Sequence, residues 1–184
     1  MTCIGKQGNP LSPQTVHDHM RDLKTFLRWV GREAPLRCLP FGASIMPRLV
    51  ESETKVIPPA ALARFFETAG EPYRSVGIFL LFTGLRPGEF RRLEWTSHVV
   101  MAGRPRLRFV APKTGRARVV YLAPPAVEVL YKWRSVTGGQ RYVSPWRPVN
   151  GCTAFARIGR MIGYHLSPGM FRHTFINMCA DRGM

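Results

Sequence analysis

The sequence predicts a mainly helical fold carrying one small antiparallel β-sheet. Two observations carry that expectation. Helical apolar spacing recurs along most of the chain, punctuated by proline at the starts and glycine at the ends of segments. Only one region, residues 107–122, alternates like a strand pair.

Ser12-Pro13 starts the first helix, with serine as N-cap and proline at the first helical position. Val16, Met20, Leu23, Leu27 and Val30 form its apolar stripe, Arg21, Lys24 and Arg28 lie on its polar side, and Gly31 is expected to close it. Residues 32–57 read as a linker containing Pro35, Pro40 and Pro47. Pro58-Pro59 opens a second helix through Leu62, Phe65 and Phe66, ending at Gly70. The next helix, about Tyr73 to Thr83, is apolar nearly all round and therefore central to the core. Gly84 reads as its C-terminal cap and Pro87 as the first residue of the helix that follows.

Leu107-Arg108-Phe109-Val110 and Arg118-Val119-Val120-Tyr121-Leu122 flank Lys113-Thr114-Gly115-Arg116, the turn of a β-hairpin. Arg104, Arg106 and Arg108 are expected to share one strand face, as a solvated edge or as a phosphate contact. Pro124-Pro125 starts a helix that Gly138-Gly139 breaks, and two more helices are expected at about 151–162 and 168–180. Trp95 and Trp133 read as core anchors.

Composition narrows the partner. The 184 residues are 45% hydrophobic and 21% charged, a globular balance and not a disordered one. Lysine and arginine number 27 against 11 acidic residues, for a net charge of +16. That field favours a polyanion, of which nucleic acid is the commonest. The excess is dispersed and not gathered in a tail, which suits a folded surface. Neither a polybasic run nor a basic amphipathic helix points to a membrane surface. Cys3, Cys38, Cys152 and Cys179 lack metal-ligand spacing, and the N-terminus lacks a signal-peptide pattern, so a cytoplasmic protein with reduced thiols is expected.

The run Thr83-Gly84-Leu85-Arg86-Pro87-Gly88-Glu89 is the most specific feature. It fixes Arg86 at a sharp junction between two helices with its guanidinium free to point outward, as phosphate binding in a defined pose requires. Glu89 reads as a partner for a nearby arginine or backbone amide. Lys113 in the hairpin and Arg172 in Phe171-Arg172-His173-Thr174-Phe175 complete an ordered trio of cations.

With the lysine hairpin Ala111-Pro112-Lys113-Thr114-Gly115-Arg116-Ala117-Arg118-Val119-Val120-Tyr121-Leu122, these motifs resemble the catalytic domain of the tyrosine recombinases, the phage-integrase family. The resemblance implies residues 1–50 as a partial helical core-binding segment with linker, and residues 51–184 as the catalytic domain, C-terminally truncated. It implies site-specific recombination and DNA integration by strand transesterification on double-stranded DNA, in a protein tetramer, with no cofactor, no nucleotide and no metal. It assigns Arg86 and Arg172 to the phosphate, Lys113 to protonation of the leaving 5′-oxygen, and Arg86, Lys113, Arg116, Arg172 and His173 to DNA binding.

The chain departs from the family pattern in two places. Gly169 occupies the usual histidine position three residues before the second arginine, with His165 one turn earlier. The family's nucleophilic tyrosine lies beyond the second arginine, whereas Tyr73, Tyr121, Tyr131, Tyr142 and Tyr164 all precede Arg172. The expectation is therefore a chain inactive by itself, the alternative being a non-catalytic DNA-binding remnant of an integrase. A basic RNA-binding protein ranks last, because it leaves the ordered trio unexplained.

Overall fold

The computed structural model describes residues 10–33, 55–110, 117–144 and 151–183. The chain divides into two units, Met1–Glu53 and Thr54–Met184. The described part of the first unit is essentially one helix, α1 (Pro13–Glu33). Ser12 caps it as its sequence predicts, its Oγ accepting a hydrogen bond from the Thr15 amide at 3.1 Å. Gly31 does not close it, for the helix continues to Glu33. A glycine inside a helix costs only about 1 kcal/mol relative to alanine, too little to stop a helix of 21 residues. Most of the expected linker, residues 34–54, lies outside the described residues.

The second unit begins with an extended segment leading into α2 (Pro59–Thr68), followed by α3 (Tyr73–Thr83), the short α4 (Pro87–Arg91) and α5 (Trp95–His98). A three-stranded antiparallel sheet follows, in the order β1 (Val99–Val100), β2 (Arg106–Val110) and β3 (Ala117–Tyr121). Then come α6 (Pro124–Thr137), α7 (Gly151–Met161) and α8 (Pro168–Asp181). The architecture is thus mainly helical with one small antiparallel sheet, as the periodicities predict. Proline stands at the first or second helical position of α2, α4, α6 and α8, where its missing N–H breaks no intrahelical bond. The turn of the hairpin, residues 111–116, lies outside the described residues, and Lys113 and Arg116 with it.

Helix α3 is the spine of the unit and packs against both α8 and α6. Its apolar circumference is explained by that double burial, with Val76, Phe79, Leu80 and Leu81 in the core. Gly77 is the exception in this run, and the reason is steric: a Cβ there would lie 2.4 Å from Phe65 Cε1. The absent side chain lets α2 deliver Phe65 against α3. Phe65 is fully buried among Phe66, Phe155 and Phe171, with ring centroids 5.0–5.6 Å away. A second aromatic group joins Phe79, Phe90 and Trp133, tying α3, α4 and α6 together. Each fully buried ring of this kind contributes about 1.5–3 kcal/mol by leaving water.

Trp133 is the core anchor its pattern predicts, whereas Trp95 is only half-buried. The Trp95 indole donates to Thr137 Oγ1 at 3.2 Å, and the Arg134 guanidinium lies over its ring. Two polar links close the unit on itself. The Ile57 amide donates to Thr174 Oγ1 at 2.9 Å, and the Tyr164 hydroxyl donates to the Val56 carbonyl at 3.1 Å. The segment entering the unit is thereby fixed beside α8, the helix that carries Arg172.

Candidate functional site

Arg86 is placed by the chain reversal between α3 and α4. Gly84 ends α3 in the left-handed conformation at φ 60°, its N–H bonding back to the Leu80 carbonyl. Leu85 is fully buried, and Arg86 takes the extended N-cap position of α4. One side of that residue is anchored and the other faces water, so the guanidinium is largely exposed while its Cα is fixed. Glu89 completes the junction. Its carboxylate accepts from the Arg86 backbone N–H at 2.8 Å and from Arg86 Nη1 at 3.3 Å.

Arg172 reaches the same junction from the other end of the sequence. Helix α8 turns Phe171 and Thr174 into the core and leaves Arg172 half-buried between them. Its Nη1 donates to the Gly84 carbonyl, two residues before Arg86. Burial, followed by repulsion from Arg86 and Arg118, makes the Arg172 guanidinium more acidic than usual, and Glu89 partly offsets this. The structure therefore brings Arg86 and Arg172 close enough for their charges to repel. His173 is exposed on the following position of α8. Lys113 and Arg116 lie outside the described residues.

A third arginine, which the sequence does not single out as a site residue, belongs to this group. Arg118 on β3 donates from Nη2 to Glu89 Oε2 at 3.1 Å, across 29 residues of sequence. Its neighbour across the sheet is Phe109, over whose ring the guanidinium lies at 5.3 Å. The only sequence signal for it is strand alternation. Arg118 shares a sheet face with Phe109 and buried Leu107, so it points toward the body of the unit.

Arg106 and Arg108 alternate on β2 and share the opposite face, as their spacing predicts. Arg104 does not lie on that strand; it follows Gly103 in the turn before it and stacks over Tyr121 at 4.4 Å.

Glu89 is the acidic member of this group. Burial works to raise its pKa, but the Arg86 backbone N–H and the two guanidiniums outweigh that and hold it below the usual carboxylate value. One ionised carboxylate thus sits among three guanidiniums, an excess of fixed positive charge at a defined point. Such an arrangement can bind a tetrahedral oxyanion through paired donors. Among the described residues no cluster of three histidine, cysteine, aspartate or glutamate side chains could hold a metal ion. None of the described helices is long and apolar enough to cross a membrane.

No protein-family model and no curated protein sequence matches the chain. Solved structures do match. The integrase of the transposon Tn1549, in complex with transposon right-end DNA, is 18% identical, with a TM-score of 0.70 over 95% of this chain and 69% of that one. The site-specific recombinase XerH, bound to its difH substrate before cleavage, is 14% identical, with a TM-score of 0.70 over 95% of this chain and 57% of that one. A lambda integrase dimer bound to a core site is 14% identical, with a TM-score of 0.67 over 87% of this chain and 50% of that one. The chain spans about two thirds of the first structure's length and about half of the last. At these identities the likeness concerns architecture, and it agrees with the order of the sequence motifs: the chain has the tyrosine recombinase fold.

Proposed function

We propose that this chain binds duplex DNA and holds one phosphodiester for strand transesterification, the chemistry of site-specific recombination and integration. The observation that carries the reading is the meeting of Arg86 and Arg172 at the Gly84 junction, from positions 86 residues apart, with a single carboxylate between several guanidiniums. Attack on a phosphodiester builds charge on the non-bridging oxygens, and two fixed guanidiniums stabilise that charge as it forms.

In this proposal Lys113 protonates the departing 5′-oxygen, and Arg116 and His173 contact the DNA backbone. Residues 1–50 contribute a helical core-binding segment and residues 51–184 the catalytic domain. The working assembly is a tetramer on DNA in the cytoplasm. A tyrosine hydroxyl would attack phosphorus, forming a 3′-phosphotyrosyl bond as the bond to the 5′-oxygen breaks. Every tyrosine of this chain precedes Arg172, so the chain is proposed to grip DNA without cutting it unaided.

The test is a titration of a mixed-sequence duplex at several salt concentrations. Neutralising about six phosphates makes affinity fall about a thousandfold between about 50 mM and about 200 mM salt. Changing Arg172 to alanine should weaken binding modestly, by about tenfold, since one of several phosphate contacts is lost. A folded sample that fails to bind at low salt removes the reading.

A further inference from the structure

We propose that Arg118 is a third ligand of the same phosphate, held by Glu89 until the phosphate arrives. The inference rests on the DNA-binding reading above and adds a residue to it.

The starting point is the state of the Arg118 fork. Its Nη2 is bonded to Glu89, while its Nε is buried and has no hydrogen-bond partner. A guanidinium presents Nε–H and Nη–H side by side, a geometry suited to two oxygens of one oxyanion. Glu89 uses one prong only, and a buried donor left idle is rare in folded proteins. A phosphate oxygen would satisfy it once the side chain turns out from Glu89.

Position supports the same assignment. Arg118 reaches Glu89 from β3, while Arg86 reaches the same carboxylate from the head of α4, at 3.1 and 3.3 Å respectively. Arg172, bonded to the Gly84 carbonyl, is close enough to feel repulsion from both. Two elements distant in sequence therefore aim cations at one carboxylate, and α8 brings the charge of Arg172 near them. Among the described residues Glu89 is the only carboxylate acting on Arg172, so a second anion would relieve the remaining repulsion. A plain brace between β3 and α4 would need only the Glu89 bond, and would leave the idle prong unexplained.

The experiment compares the parent chain with R118Q, which keeps an amide able to bond Glu89 but removes the charge. Duplex binding is measured across a salt series, together with the melting midpoint of each protein. If Arg118 holds a phosphate, the slope of log affinity against log salt is shallower by about one in R118Q. If it is only a brace, the melting midpoint moves and the slope stays at the parent value, which overturns the proposal. R118K, which restores charge without the fork, should recover the slope but not the full affinity, and serves if R118Q folds poorly. R172Q and the R118Q/R172Q double variant then test convergence. Ligands of one phosphate couple, so the double variant's loss departs by about twofold or more from the product of the single losses. Simple multiplication overturns convergence. A parent chain that does not bind removes the functional reading and this inference together; a parent that binds with an unchanged R118Q slope removes this inference alone.

Discussion

A methyl group at position 84 would lie 2.3 Å from Phe175 Cδ1. Gly84 and Phe175 thus occupy each other's space: α8 can approach the end of α3 only because residue 84 has no side chain. The same turn of α8 delivers Arg172 to the Gly84 carbonyl. Gly84 also has φ 60°, a conformation other residues adopt at a cost.

Changing Gly84 to alanine should therefore act twice, through backbone strain and through overpacking against Phe175. Together these amount to about 3 kcal/mol. Thermal melting should show a midpoint lowered by about 10 °C for a unit of this size. Adding F175A should return part of the loss, because it removes the overlap and leaves the backbone strain. A G84A variant that melts like the parent would contradict the close approach.

That junction also marks what the sequence makes legible. Gly84, Pro87 and the apolar run before them are local chemistry, and the ends of α3 and α4 fall where that chemistry puts them. Gly138 likewise ends α6, at φ 42°. Gly31 misleads because glycine permits a helix end without compelling one. The two-residue strand β1 has no pattern long enough to detect and exists through its pairing with β2. Gly103 turns the chain so that Arg104 leaves the strand on which simple alternation places it. Arg118 was visible as a basic strand residue, but its bond to Glu89 is a product of tertiary packing between β3 and α4. Local pattern carries no information about that distance.

Glu89 gives the site a signature in acid. Its pKa in the folded chain lies below the usual value of 4.5, so its contribution to stability is complete above about pH 4.5. The contribution is lost as pH falls through the depressed value. E89Q should be less stable than the parent by about 1 kcal/mol at neutral pH, since the charge-assisted bonds to Arg86 and Arg118 weaken. The difference should shrink as pH falls through that depressed value and the parent carboxyl also becomes neutral. Denaturant unfolding at a series of pH values reads this directly, and a pH-independent gap would contradict the assigned cause.

The repulsion around Arg172 predicts a response to simple anions. Burial and neighbouring guanidiniums disfavour its charged form, so an oxyanion bound among them should stabilise the folded chain. Sulfate or phosphate should raise the melting midpoint more than chloride does at equal ionic strength, reflecting about 1–3 kcal/mol of added stability when the anion is well above its dissociation constant. R172A and R86A should each reduce that specific increment while retaining the general effect of salt on the +16 chain. Equal increments in the parent and both variants would show that the anions act elsewhere on the surface.

The tyrosines predict the outcome of a covalent trapping assay. Tyr164 donates its hydroxyl to the Val56 carbonyl, and Tyr73 is half-buried with its ring against Phe155. Tyr121 lies on the sheet face opposite Arg118, beneath Arg104. Tyr131 is exposed on α6, and Tyr142 lies beside Glu94 and Arg141. None of these contacts is with Arg86 or Arg172, the proposed phosphate ligands. A nicked suicide duplex, which loses a short fragment after cleavage and so traps the protein, should yield no covalent adduct with this chain alone. Mixed with a complete recombinase of the same fold whose own Arg172 equivalent is inactivated, the chain should yield an adduct only if a tyrosine is donated between subunits, and that adduct should have the partner's mass. An adduct at the mass of this chain would overturn the prediction, and peptide mapping would then identify which of its five tyrosines reaches the phosphate.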